Sequence, residues 1–182
     1  MPIYKPEEYD AVLERIKAAI REQDVQMGPV LSEEELRAFE QKHGIVLPEG
    51  YRRFLLEVGD GCDMFDGYDV LPLGAKREVE NYREPFRYQE YWVDWDNLEE
   101  GEEPPFGNPF TSGTLELIDI GDGQTFELVI TGPCRGEVWH FCELGVQPCC
   151  QRQDFLGWFE RWLTDGDDVD YFAEFSDSII GA

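Results

Sequence analysis

Histidine is scarce in this chain, and so is positive charge. The 182 residues hold two histidines, His43 and His140, far apart in sequence. No nucleophile elbow and no phosphate-cradling glycine loop accompanies either one. His43 has an adequate structural role at a helix end, and His140, next to Trp139 on an expected strand, reads as a surface or edge residue. Carboxylates are plentiful, but acid–base chemistry needs two of them in unlike environments, which abundance alone does not provide. The expectation is a protein that is not an enzyme, with no catalytic residues, no metal and no cofactor.

Lys and Arg total 15 against 40 Asp and Glu, a formal net charge of −25. Such a field repels phosphate backbones and anionic lipid, so nucleic acid and membrane surfaces are poor partners. It attracts cationic proteins and speeds their association in a way that salt weakens; the plainer use of the charge is solubility. No apolar run approaches the length of a membrane span. The opening MPIYKPEEYD lacks the basic-then-apolar order of a signal peptide. Five cysteines, an odd number, do not read as a secreted disulfide framework. Cytoplasmic localisation is the expectation. Cys134, His140, Cys142, Cys149 and Cys150 fall in a short span, but they straddle expected strands rather than the tight turns of zinc sites, so idle or buried thiols are the default. Asp63, Asp66 and Asp69 surround a turn glycine without the alternation and closing Glu of a calcium loop. A solvated turn leading to a short apolar strand at Val70 to Leu73 is the expected structure.

With 42% hydrophobic and 14% aromatic residues, the chain has material for a sizeable core. Tyr9, Val12, Leu13, Ile16 and Ile20 repeat at helical spacing between about Pro6 and Gln23, and Met27-Gly28-Pro29 breaks the pattern. The following stretch, Leu31 to Gly61, writes two helices with their boundaries. Ser32 and Glu35 form a capping box, with Leu31 and Leu36 at the staple positions. Gly44 ends the first helix, behind Lys42 and His43 at its negative end. Pro48 opens the second, whose Tyr51, Phe54, Leu55 and Val58 share a face, and Gly59 and Gly61 stop it.

Later come Leu115, Leu117 and Ile118, the turn Gly121-Asp122-Gly123-Gln124, and a return strand with Phe126, Leu128 and Ile130 on one face and Glu127, Val129 and Thr131 on the other. Gly132-Pro133 turns the chain before a strand from about Val138 to Phe141, with Trp139 in the core. Asp154 caps a closing helix with the stripe Phe155, Trp158, Phe159, Trp162 and Leu163. The final VDYFAEFSDSIIGA is apolar enough to dock on the domain or to mediate self-association; oligomeric state stays open.

The Leu31–Gly61 block, with Leu36, Phe39, Glu40, Leu47-Pro48 and Tyr51 through Phe54, resembles the SUKH superfamily, which includes the fungal cell-wall regulator Smi/Knr and many bacterial immunity proteins. Gly113 to Ile120, Leu128 to Gly132, Gly136 to Trp139 and Phe155 to Leu163 look like its later strands and closing helix, so the resemblance covers about two-thirds of the chain. It implies an α+β binding domain, commonly one that neutralises a toxin, with no catalytic residues to carry over. The expected architecture is N-terminal helices, a central antiparallel sheet and a C-terminal helix packed on it, in one domain over 1–182.

The stretch at about 78–110 departs from a minimal member: Tyr82, Phe86, Tyr88, Tyr91, Trp92 and Trp95 sit among acidic residues, and the loop NLEEGEEPPFGNP follows. Two readings compete. Either an inserted helix or strand packs the aromatics on the sheet and a mobile loop follows, or they form a recognition surface with Trp92 and Trp95 as anchors and Asp94, Asp96, Glu99, Glu100, Glu102 and Glu103 as the charged surround. The functional expectation is an immunity protein that binds a toxin domain, basic and nuclease-type by charge. The alternative is a regulatory or scaffold protein binding a cellular partner.

Overall fold

A computed structural model describes residues 3–63, 68–75, 82–90, 92–93, 112–142, 145–149 and 152–165. Helix α1, Tyr9–Gln23, follows a 3-10 turn at Pro6–Glu8 and buries Tyr9, Val12, Leu13 and Ile16. Asp24, in the left-handed region, closes it. Helix α2, Glu33–His43, begins at the capping box: Ser32 Oγ accepts from Glu35 N–H, and Glu35 Oε2 accepts from Ser32 N–H at 2.8 Å. Gly44 ends it at φ +65°, a conformation cheap only for glycine. Helix α3, Glu49–Glu57, takes Pro48 as its N-cap residue and buries Tyr51, Phe54 and Leu55.

Two short strands, β1 (Cys62–Asp63) and β2 (Asp69–Val70), pair antiparallel. The expected apolar strand thus stops at Val70. Pro72 has no N–H for a ladder, Leu71 N–H donates to Leu117 O at 2.8 Å, and Leu73 N–H to Asp60 Oδ1 at 2.7 Å. A 3-10 turn, Leu73–Ala75, follows.

The main sheet contains β3 (Trp92–Val93), β4 (Thr114–Gly121), β5 (Gln124–Val129), β6 (Val138–Cys142) and β7 (Gly145–Pro148), in the order β3-β7-β6-β5-β4, all pairs antiparallel. Asp122 and Gly123, at φ +51° and +72°, supply the two left-handed residues of a tight hairpin between β4 and β5. Helix α4, Phe155–Asp165, closes the described fold. Asp154 caps it as expected, Oδ1 accepting from Gly157 N–H at 2.7 Å.

Alternation divides the sheet into two faces. Leu115, Ile118, Phe126, Leu128, Ile130 and Val138 join the buried side chains of α1, α2, α3 and α4 in one core. At its centre Phe155 meets Tyr51 and Phe54 edge to face, at centroid distances of 4.6 and 4.9 Å, a favoured arrangement for aromatic pairs. His140 corrects the sequence expectation of a surface or edge residue. It is buried, because β6 lies between β5 and β7 and His140 stands in register with inward-facing Phe126. Burial lowers its pKa to about 4, and its Nε2 lies 3.0 Å from Gln124 Oε1.

Candidate functional site

The opposite face of the sheet carries Val129, Trp139, Phe141 and Val146, which form a second cluster with Phe86, Tyr88 and Cys134. The chain from Tyr82 to Glu90 has no regular structure, yet it is tied down throughout. Phe86 N–H donates to Thr131 O at 3.0 Å, and Thr131 Oγ donates to Tyr82 O at 3.2 Å. Phe86 meets Trp139 edge to face at 4.9 Å. Two glycines permit this close approach. Gly113 (φ +71°) and Gly132 (φ +112°) both bring bare backbone against Phe86, and a Cβ at either would collide with it.

Arg152 holds the end of this segment. Its Nη2 donates to Gln89 O and lies 3.3 Å from Glu90. Its Nη1 donates to Glu137 Oε2 at 3.0 Å, and the guanidinium lies 5.8 Å from the centre of the Trp139 ring. Arg152 does this from φ +40°, a strained conformation for a long side chain. Burial raises the pKa of Glu137, and the adjacent guanidinium of Arg152 opposes the rise. Burial likewise pushes the Cys134 thiol up, so Cys134 is a poor nucleophile.

The packing reading of the aromatic segment holds for Phe86 and Tyr88, buried on the outer face, though on irregular chain in place of the expected helix or strand. Tyr82 is buried instead in the helix-side core, against Phe39 and His43 of α2. Of the sequence-predicted binding residues, only Trp92 falls within the described chain. It lies on β3, its backbone paired opposite Val146. Asp94, Trp95, Asp96, Glu99, Glu100, Glu102 and Glu103 lie outside the described residues, as do Asp66, Cys150 and the C-terminal VDYFAEFSDSIIGA. What the geometry does establish is the approach to that stretch: residues 82–90 are fastened to the outer face and deliver the chain to β3. Sequence reasoning missed Thr131, Gly113, Gly132 and Arg152 as fasteners. The glycines could have been suspected as sites of close backbone approach; Arg152 left no signal.

On the same outer face Glu116 and Glu127 stand directly opposite each other on β4 and β5, both buried. Glu127 accepts from the hydroxyls of Thr114 and Thr125. Among the described residues no three His, Cys, Asp or Glu side chains are grouped to hold a metal ion, and no described helix is long and apolar enough to cross a membrane.

A groove of about 660 Å³ opens elsewhere, where the end of α2 and the turn to α3 meet the loop after β5. Arg37, Glu40, Gln41, Gly44, Ile45, Val46, Thr131 and Arg135 line it. Arg135 Nη2 donates to Val46 O and Leu47 O at 3.1 and 2.9 Å. Glu40 is already engaged, accepting from Leu47 N–H at 3.0 Å and lying 3.4 Å from Arg52.

These features define an α+β domain whose antiparallel sheet is covered by helices on one face and by an irregular aromatic segment on the other. The chain belongs to the SMI1 / KNR4 family (SUKH-1), whose model matches residues 30–162, from just before α2 to Trp162. The family is generally non-catalytic and suggests protein–protein interaction in general. Comparison with curated proteins and with solved structures gave no match.

Proposed function

We propose that this chain is a non-enzymatic, cytoplasmic immunity protein that neutralises a cognate toxin by direct stoichiometric binding. In this reading residues 1–182 form one domain, and the insertion at about 78–110 carries the contact. Trp92 and Trp95 serve as anchors within Asp94, Asp96, Glu99, Glu100, Glu102 and Glu103. The observation that carries the proposal is a member of this family with a net charge of −25 and an aromatic segment fastened to the sheet up to the edge of that acidic stretch. Aromatic anchors within a charged rim suit tight recognition. The charge suits a basic partner such as a nuclease domain, whose cationic substrate groove an acidic surface can imitate.

The test is capture from the native host's lysate on tagged protein at low salt, followed by stepped salt elution. The expected result is one dominant basic protein whose toxicity this chain abolishes on co-expression, with an association rate that falls as salt rises. Replacing Trp92 and Trp95 together by Ala should weaken that complex by about a hundredfold, the loss typical of central aromatic anchors. An association rate indifferent to ionic strength would sink the electrostatic part. Weak and varied partners would favour a regulatory or scaffold role.

A further inference from the structure

We propose that the groove at the end of α2 is a second docking site, one that takes an extended peptide pairing a carboxylate with an aliphatic side chain. This goes beyond the immunity reading and does not rest on it. The first observation is Val46. Among the described residues four large hydrophobics are exposed, and Val46 is the most exposed at 65%. Its neighbours Ile45 and Leu47 are buried, so the extended chain turns Val46 outward. The backbone beneath it is fixed: Arg135 holds the carbonyls of Val46 and Leu47, and Glu40 holds the amide of Leu47. The aliphatic side chain is thus presented on a rigid platform at the mouth of a groove, a preorganisation that lowers the cost of binding.

The second observation is charge. In a chain where acidic residues outnumber basic ones by 40 to 15, this groove is lined by Arg37 and Arg135. Arg83 lies against Gly44, another lining residue, its Nε donating to His43 O at 2.9 Å. That bond also covers a helix-end carbonyl that would otherwise repel an anion. The lining carboxylate, Glu40, is engaged by Leu47 N–H and Arg52. Among the described residues Arg37 pairs with Glu33 across one helical turn, both side chains exposed, a weak bond that a ligand carboxylate can replace. Carboxylates elsewhere on the chain are screened beyond about 8–10 Å at moderate salt. An acidic-aliphatic segment therefore matches the groove in both chemistries, where a basic one would meet like charge.

The experiment is fluorescence anisotropy on the full chain with a labelled short peptide of alternating Asp and Leu, beside matched peptides carrying Asn or Lys for Asp. The Asp-containing peptide should bind, with affinity about tenfold weaker for the Asn peptide and for each of Val46→Asp and Arg37→Gln. Both substitutions fall at exposed positions outside the core, and thermal melts of each should match the parent. Equal binding of all three peptides, binding that survives Val46→Asp, or no binding at all would overturn the proposal. So would concentration-dependent self-association abolished by Val46→Asp, since that would assign the groove to a second copy of the chain.

Discussion

The helix-covered face of the sheet and the face under residues 82–90 bury large aromatics equally well, but by different means. On the first face Trp158 and Phe155 arrive on a helix whose backbone bonds are satisfied within itself, so packing needs only the right stripe. On the second, Phe86 and Tyr88 arrive on chain without regular structure. Its polar groups must find partners one by one, at Thr131, Cys134 and Arg152, while Gly113 and Gly132 leave room for the approach. A helical cover is redundant and robust. An irregular cover depends on single contacts and can vary its continuation without disturbing the fold beneath, which suits a surface that must match a particular partner.

The largest test of this contrast removes one ring from each face. Trp158→Ala should cost about 4 kcal/mol and lower hydrogen-exchange protection throughout the chain. Phe86→Ala should cost about 3 kcal/mol, with protection lost first within residues 82–90. Equal global losses would mean that both covers unfold as one unit.

The buried His140 and the half-buried Asp154, on and beside the helical side, give opposite pH responses. Burial holds His140 neutral, with its pKa lowered from 6.5 to about 4. Between those values the unfolded chain binds a proton that the folded chain refuses, so the His140 contribution is lost as pH falls from 6.5 to 4, by about 3 kcal/mol. Burial raises Asp154 from 3.8 to about 6. There the folded chain takes the proton first, and its contribution grows by about 3 kcal/mol as pH falls from 6 to 3.8. The stability gap between the parent and His140→Gln should therefore shrink on acidification, while the gap to Asp154→Asn should widen. Denaturant titrations at several pH values read both, and parallel gaps would contradict the buried placement of the two groups.

Arg152 sharpens the comparison on the outer face. Arg152→Ala keeps the left-handed backbone and loses the clasp, at about 2 kcal/mol. Arg152→Gly loses the same clasp but relieves the strain, and should be about 1 kcal/mol less harmful. Glycine worse than alanine would show that the backbone there is unstrained. The smallest effect belongs to the helical half: Ser32→Ala should cost about 1 kcal/mol in denaturant melts, without changing protection of residues 82–90.

The helical half was legible because its signals are local. The capping box of Ser32 and Glu35, the left-handed Gly44 and the stripe of α4 each lie within a few residues and all appear in the structure. The hairpin at Asp122-Gly123 and the division of β5 into two faces were legible for the same reason. Two readings went astray where a distant element decided. His140 was taken as surface because nothing in its neighbourhood announces that β6 is internal. The strand expected to reach Leu73 ends earlier, where Asp60 and Leu117 claim the backbone amides.

Of the proposed binding residues, the sequence supplied their chemistry, and the structure adds the fastened segment that leads to Trp92. By itself, then, the sequence determined which segments are helices, where they end and, to within a turn, where they begin, which strands alternate, and the sign of the charge the chain presents. Periodicity and capping act over one or two turns, and charge simply adds. Tertiary structure alone decided which face Phe86 and Tyr88 cover, that Arg152 holds the end of their segment from a left-handed backbone, and that Val46 stands exposed in a groove lined by two arginines. Those outcomes are set by residues tens of positions apart that meet only when the sheet has formed.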